Sequence, residues 1–336
     1  MQPQQLAAII DVLGATSVQS VQSIQSLWGG YGELVQVYLT GYRHASVIVK
    51  HITLPQAQTH PKGWATDLSH QRKLRSYQVE SYWYQDYANH CTADCVVPKC
   101  LWLGNAITSP NADDCYAILL VLEDLTQIGF SRINHHGDRT IIQASLTWLA
   151  HFHGQFMQHD GQDLWPIGTY WHLATRPDEL AVLQDDKLKN AATELDYILN
   201  NCPFKTLVHG DAKLANFCFT PDNCQAAAVD FQYVGQGCGM KDVVYFLSSV
   251  LPFNQPISTI ETTVETYLDF YFIQLSQSVG HYHPDIDVSA LVNSWRSLYP
   301  IAWADFHRFI KGWSPEHQKI NAYSEALTQQ ALLQLI

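Results

Sequence analysis

The stretch His209-Gly210-Asp211-Ala212-Lys213-Leu214-Ala215-Asn216, followed by Val229-Asp230-Phe231-Gln232, decides how this chain is read. Asp230 falls 14 residues after Asn216, at the end of an apolar run. Residues 206–230 read as a β island inside an otherwise helical half of the chain. On residue types alone the stretch could be an Asx-rich turn between two short strands, because Asp and Asn side chains bond readily to nearby backbone.

Outward from the island the patterns divide into two regimes. Towards the N-terminus, Ile142, Leu146, Leu149, Phe152 and Phe156 make one amphipathic stripe, and residues 180–200 predict another helix. Beyond the island, helical patterns run nearly to the end; Asp242 lies in the first of these helices, where an acid in the first turn satisfies free N–H groups and braces the preceding loop. The first third is strand-rich. Leu34–Leu39 and Ser46–Lys50 predict an antiparallel hairpin turning near Gly41, and Cys95–Leu103 and Cys115–Leu122 read as two further strands. One helix, residues 69–89, carries Leu74, Tyr77, Tyr84 and Tyr87 on a single stripe, after a polar loop with Pro55, Pro61 and Gly63. The V-Q-S repeat of residues 18–27 has a period of three, fits neither helix nor strand well, and reads as irregular or weakly strand-forming. The fold class expected is α+β with two lobes, residues 1–124 and 125–336.

Composition narrows the function. The 336 residues are 47% apolar and 15% charged, which excludes intrinsic disorder. Thirty-one acidic residues against 19 basic ones, a net charge of -12, argue against nucleic-acid binding and against docking on anionic membranes. No apolar run approaches the roughly 18 residues of a spanning helix. The first basic residue is Arg43, so a secretory signal is not expected and the expectation is a cytoplasmic protein. The eight cysteines include no C-x-x-C pair, and Cys91, Cys95 and Cys100 read as buried thiols rather than zinc ligands. The 16 histidines include no H-E-x-x-H.

The H-G-D-x-x-x-x-N form with its following Asp resembles the catalytic and metal-binding loops of the protein-kinase-like superfamily. Its small-molecule branch is the nearer likeness: the aminoglycoside phosphotransferase, choline kinase and ecdysteroid-kinase-like families. Protein kinases carry H-R-D and D-F-G; here Gly210 and Gln232 replace the Arg and the last Gly, and no A-P-E segment follows. The resemblance implies a two-lobed kinase-like fold and transfer of a phosphoryl group from ATP to a hydroxyl. It assigns Asp211 to orienting or deprotonating that hydroxyl, Asn216 and Asp230 to Mg²⁺, and Lys213 to neutralising the phosphoryl group in flight. Lys213 matches Ser/Thr protein kinases better than much of the small-molecule branch.

Further features stand in the order this family requires. Gly29, Gly30 and Gly32 lie where a Gly-rich loop would cover the nucleotide phosphates, though they depart from G-x-G-x-x-G and also suit a plain hairpin turn. Lys50 ends a strand, and Glu80 interrupts the apolar stripe of its helix, where a carboxylate is costly unless paired. The family supplies the pairing, Lys50 with Glu80. Glu123 and Leu125 occupy the expected hinge, whose backbone would meet the adenine. His153 reads as a packing residue and His209 as one that orients the loop. The aromatic stretch from Trp295 to Trp313, with Asp305, and the segment Gly168-Thr169-Tyr170-Trp171 with Arg176 are candidate acceptor walls suited to a cationic or amphipathic hydroxylated molecule; equally, they read as helical core. A non-catalytic pseudokinase-type module is the competing reading, which retention of Lys50, Glu80, Asp211, Asn216 and Asp230 disfavours.

Overall fold

The hairpin around Gly41 forms the centre of a five-stranded antiparallel sheet in the computed structural model, which describes residues 1–53, 67–105, 117–134 and 136–335. Contacts divide the chain into two units: Met1–His90 with Val97–Arg132, and Cys91–Val96 with Ile133–Ile336. In the first, strands β1 (Ser17–Ser26), β2 (Gly32–Thr40), β3 (Ser46–Thr53), β4 (Cys100–Asn105) and β5 (Ala117–Glu123) take the order β1-β2-β3-β5-β4. Val35, Val37, Val47, Val49, Leu119 and Val121 build the sheet's core with Ile9 from helix α1 (Pro3–Leu13). Helix α2 (Asp67–Tyr82) runs on through a π turn (Trp83–Tyr87) and a 3₁₀ turn (Ala88–His90), so the helix expected over 69–89 loses its regular winding after Tyr82.

Two expectations for this unit change. The V-Q-S repeat, expected as irregular or weakly strand-forming, is a full-length but bulged strand, β1, paired to β2 from Ser17 to Ser26. Irregularities between Val18 and Ser20 and between Ser23 and Gln25 interrupt its alternation, and the strand is largely exposed. Together these hide the period of two from a sequence reading. The strand expected from Cys95 begins only at Cys100; Val96 instead bridges to Ala227 in the second unit, and Pro98 has no N–H for a ladder. Pro55, Pro61, Gly63 and Cys115 lie outside the described residues.

The second unit is mostly helical: α3 (Arg139–Gln155), α4 (Pro177–Val182), α5 (Asp186–Asn200), α6 (Met240–Val250), α7 (Ile257–Tyr282), α8 (Val288–Trp313) and α9 (Ala322–Leu333). The single helix expected over 180–200 is two, because Asp185 leaves helical geometry and caps α5, accepting from Leu188 N at 3.1 Å. Helix α3 buries far more than one stripe; Trp148, Ala150 and His153 are as enclosed as Leu146 and Phe152. Among these helices sit two small antiparallel ribbons, β6 (Thr206–Val208) with β9 (Gly235–Gly237) and β7 (Phe217–Phe219) with β8 (Ala226–Ala228). The α+β class holds. Among the described residues no helix is long and apolar enough to cross a membrane.

Candidate active site

The His209–Asn216 segment leaves β6 and is anchored from below by Asp242. Oδ2 of Asp242 accepts from His209 N at 2.5 Å and Oδ1 from Gly210 N at 2.9 Å. His153 Nε2 donates to the same carboxylate at 3.1 Å, and Tyr271 OH completes the imidazole's bonding at Nδ1, 2.7 Å away. His153 and Asp242 are fully buried. His209 donates through Nε2 to Val229 O (3.0 Å) and accepts at Nδ1 from Asp211 N (3.2 Å), so this neutral ring links the loop to the residue before Asp230. Gly210 explains the departure from H-R-D. Its φ is +80°, and a Cβ there would stand 2.1 Å from Tyr233 O. No side chain fits.

Asp211 lies at the surface of this anchored loop, 7% exposed. Its Oδ2 accepts from Lys213 Nζ at 2.9 Å and from Asn216 Nδ2 at 3.0 Å, and Asn216 Nδ2 also reaches Asp211 O at 2.8 Å. Burial alone would lower the Lys213 pKa, but Asp211 and then Asp230 more than compensate and hold it above the ordinary lysine value. Val229 N donates to Asn216 O at 3.0 Å, which sets Asp230 beside Asn216 across the β7–β8 ribbon. Asp230 has φ +70°, and its Oδ1 accepts from Gln232 Nε2 at 2.5 Å. Phe231 is buried against the His209 ring, centroids 4.6 Å apart. The structure thus brings Asp211, Lys213, Asn216 and Asp230 together. The Nδ2 of Asn216 is spent on Asp211, while its Oδ1 accepts no hydrogen bond among the described residues. Asn216 Oδ1 and the Asp230 carboxylate are hard oxygens of the kind that could hold Mg²⁺, an ion that takes one or two protein carboxylates and fills its shell with phosphate and water oxygens.

Beside Asp211 stands an aromatic wall that the sequence only partly indicated. Tyr170 packs on Tyr245 and on Phe309, each at 5.3 Å, and Tyr245 on Phe306 at 5.2 Å. Burial, with Asp211 nearby, raises the pKa of both tyrosines, so both phenols are neutral. Tyr170 N donates to Gly210 O at 3.1 Å, and Thr169, at φ +113°, donates to Tyr233 O. The 168–171 segment therefore packs directly on the loop. Trp295, Tyr299 and Trp303 are core. Asp305, 1% exposed, is bound by Arg308 Nη2 at 2.8 Å and Trp171 Nε1 at 3.0 Å, and so faces inward. Tyr245 and Lys319 escaped the sequence reading. Tyr245 sits one helical turn after Asp242, a usable signal; Lys319, 108 residues from Asp211, has none.

In the first unit, Lys50 and Glu80 form a buried ion pair, Nζ lying 2.9 Å from Oε1 and 2.7 Å from Oε2. They are 5% and 1% exposed. Gly29, Gly30 and Gly32 all adopt positive φ in the turn from β1 to β2. A Cβ on Gly32 would stand 2.0 Å from His51 O, so strand packing alone demands glycine there; Gly30 N donates to Leu27 O. Glu123 ends β5, and Leu125 opens a 3₁₀ turn capped by Asp124, which also accepts from Gln36 Nε2 (2.7 Å) and Ser46 Oγ (2.5 Å). Leu125 O is taken by Phe130 N. The described cysteines are free thiols, and among the described residues no group of His, Cys, Asp and Glu could hold a metal through three or more such ligands.

No curated protein matches the chain significantly in sequence. Among solved structures, the chain is similar to an amicoumacin kinase in complex with AMP-PNP, Ca²⁺ and Ami, with TM-score 0.53, 12% identity, and 100% of this chain and 93% of that one covered. It is also similar to a candidate aminoglycoside phosphotransferase from Ralstonia eutropha JMP134, with TM-score 0.53, 14% identity, and 99% and 95% covered. At such identities the likeness concerns the fold. The model of the phosphotransferase enzyme family matches residues 30–276, most of the chain and every candidate catalytic, metal and nucleotide residue but Gly29. The chain belongs to that phosphotransferase family.

Proposed function

We propose that this protein transfers the γ-phosphoryl group of ATP to a hydroxyl of a small molecule. One observation carries the reading: the Asp211 carboxylate is held by Lys213 and Asn216 on a loop anchored at Asp242, with Asp230 alongside. Asp211 orients the acceptor hydroxyl and takes its proton as the oxygen attacks γ-phosphorus and the bond to the β-phosphate oxygen breaks. Lys213 then moves from Asp211 to the transferring group, since a phosphoryl group with three oxygens draws an ammonium more strongly than one carboxylate. Asn216 and Asp230 are the residues to hold Mg²⁺, which when bound offsets the phosphate charge. Lys50, fixed by Glu80, is the cation for the α- and β-phosphates, and the Gly29–Gly32 turn covers them. Leu125 N, at the first position of its turn where no intrahelical acceptor exists, and the Glu123 backbone beside it would meet an adenine edge. Residues 1–124 would carry the nucleotide and 125–336 the acceptor. The complex of the amicoumacin kinase with AMP-PNP and Ca²⁺ supports nucleotide-and-metal use in this fold.

Asp211→Ala decides the mechanism. Acceptor-dependent turnover should fall by at least about a hundredfold, the lower end of what a positioned base contributes, while ATP still binds by calorimetry. Unchanged turnover would sink the assignment. ATP binding indifferent to Mg²⁺, with no turnover in the wild type, would favour a non-catalytic module.

A further inference from the structure

Lys319, on the loop between α8 and α9, is a lysine near Asp211 that makes no ion pair among the described residues. Its Nζ rests 4.5 Å from the Tyr245 ring centroid and 5.2 Å from that of Phe306, the side chain being half-buried. Among the described residues no carboxylate lies within ion-pair distance of it. Asp211 and Lys213 are near enough to act on its charge. The one acid in the buried middle of α8, Asp305, is committed to Arg308 and Trp171. Asp211 is held by Lys213 and Asn216 and, in the proposed mechanism, is reserved for the reacting hydroxyl, as Asp230 is for the metal. Arg176, stacked on Tyr170 and Phe309, is already paired with Glu179. The aromatic wall beside Asp211 therefore presents one amine outside any ion pair, while the carboxylate nearest to it by its effect, Asp211, is reserved for the reacting hydroxyl.

We infer that the acceptor carries an anionic group, a carboxylate or a phosphate, which Lys319 binds while the acceptor's carbon skeleton lies against Tyr170, Tyr245 and Phe306 and its hydroxyl meets Asp211. The inference rests on the phosphotransferase reading and names its substrate class. A cationic acceptor would instead meet Lys319 and Lys213, with the carboxylate beside them, Asp211, reserved for the hydroxyl, and like charges in a half-buried site repel strongly. Ring faces hold an ammonium only weakly compared with an anion. Burial, reinforced by Lys213 and opposed by Asp211, brings Lys319 down to about 7, so an arriving anion recovers a solvation deficit already present.

Two measurements on the full-length protein test this. In protein labelled with ¹³Cε-lysine, the Lys319 resonance, assigned by its loss in Lys319→Arg, is followed while D-gluconate, glucose 6-phosphate, glucose, glucosamine or choline is added. The first two should shift it and the last three should not; gluconate against glucose 6-phosphate separates carboxylate from phosphate. ATP consumption is then read across hydroxylated carboxylates, phosphate monoesters, neutral polyols and amino alcohols. Anionic acceptors should be preferred. Lys319→Gln should raise KM for the best of them by about tenfold or more, the worth of one charge-assisted bond, while shifting KM for a neutral polyol far less, and Lys319→Arg should restore the preference. Consumption led by amines or neutral polyols, a resonance deaf to both anions, or an unchanged KM in Lys319→Gln overturns the inference and leaves phosphotransfer standing. A resonance that follows the anions with no consumption in any class keeps the anion site and overturns phosphotransfer.

Discussion

Replacing Asp242 by Asn should loosen the catalytic loop at its base, and the loss can be worked from the geometry. The carboxylate receives three donors: His209 N at 2.5 Å, Gly210 N at 2.9 Å and His153 Nε2 at 3.1 Å. An amide keeps one acceptor oxygen, which can serve Gly210 N. Its nitrogen then points a donor at the two donors that shared Oδ2. His209 N is fully enclosed and gains no substitute partner. One lost charge-assisted bond and one stranded buried donor together cost about 3–5 kcal/mol. In a unit of this size that lowers Tm by roughly 6–20 °C. Calorimetry on the whole chain reads the shift, and hydrogen exchange should show lost protection at the His209 amide. Turnover should fall with it, because Asp211 rides on the same loop. A Tm within about 2 °C of wild type, with His209 N still protected, would refute the reasoning.

Gly210→Ala places a methyl 2.1 Å from Tyr233 O in a left-handed backbone; the backbone alone costs about 1–2 kcal/mol before the clash, and the urea midpoint should fall accordingly. Glu80→Gln leaves the Lys50 charge buried beside a neutral amide and should cost about 3 kcal/mol of stability; a double-mutant cycle with Lys50→Met should return a coupling above about 1 kcal/mol, and no coupling would disprove the pair. Burial, then Lys241, holds His172 down to about 4, and burial, then Lys311, holds His307 down to about 3. Below pH 6.5 the unfolded chain protonates both rings and the folded one does not, so stability is full above 6.5 and falls towards pH 4, at up to about 1.4 kcal/mol per ring per pH unit. Denaturation at pH 7 and pH 5 checks the slope, which His307→Gln should flatten.

The candidate catalytic stretch and the Lys50–Glu80 pair were legible from sequence through the family resemblance, and the pair is present as a buried ion pair. A carboxylate in the middle of an apolar helical stripe needs a buried cation, and an Asp and Asn five residues apart share one short loop. The hairpin and α3 were legible from periodicity. The bulged edge strand β1 and the break before α5 were not, since a bulge shifts the alternation by one residue and an Asp cap competes with a pattern that otherwise continues. Asp305 shows the limit most clearly. Among aromatics in sequence it reads as a pocket acid, but α8 turns it inward onto Arg308 and Trp171. Lys319 is the converse, an unremarked loop residue that folding carries to Asp211. Sequence determined which groups are candidates for handling phosphate, because they stand in the order and spacing that the family resemblance requires. Which charges remain unneutralised beside the acceptor was decided by tertiary structure alone, because pairing of charges depends on distances between residues a hundred positions apart.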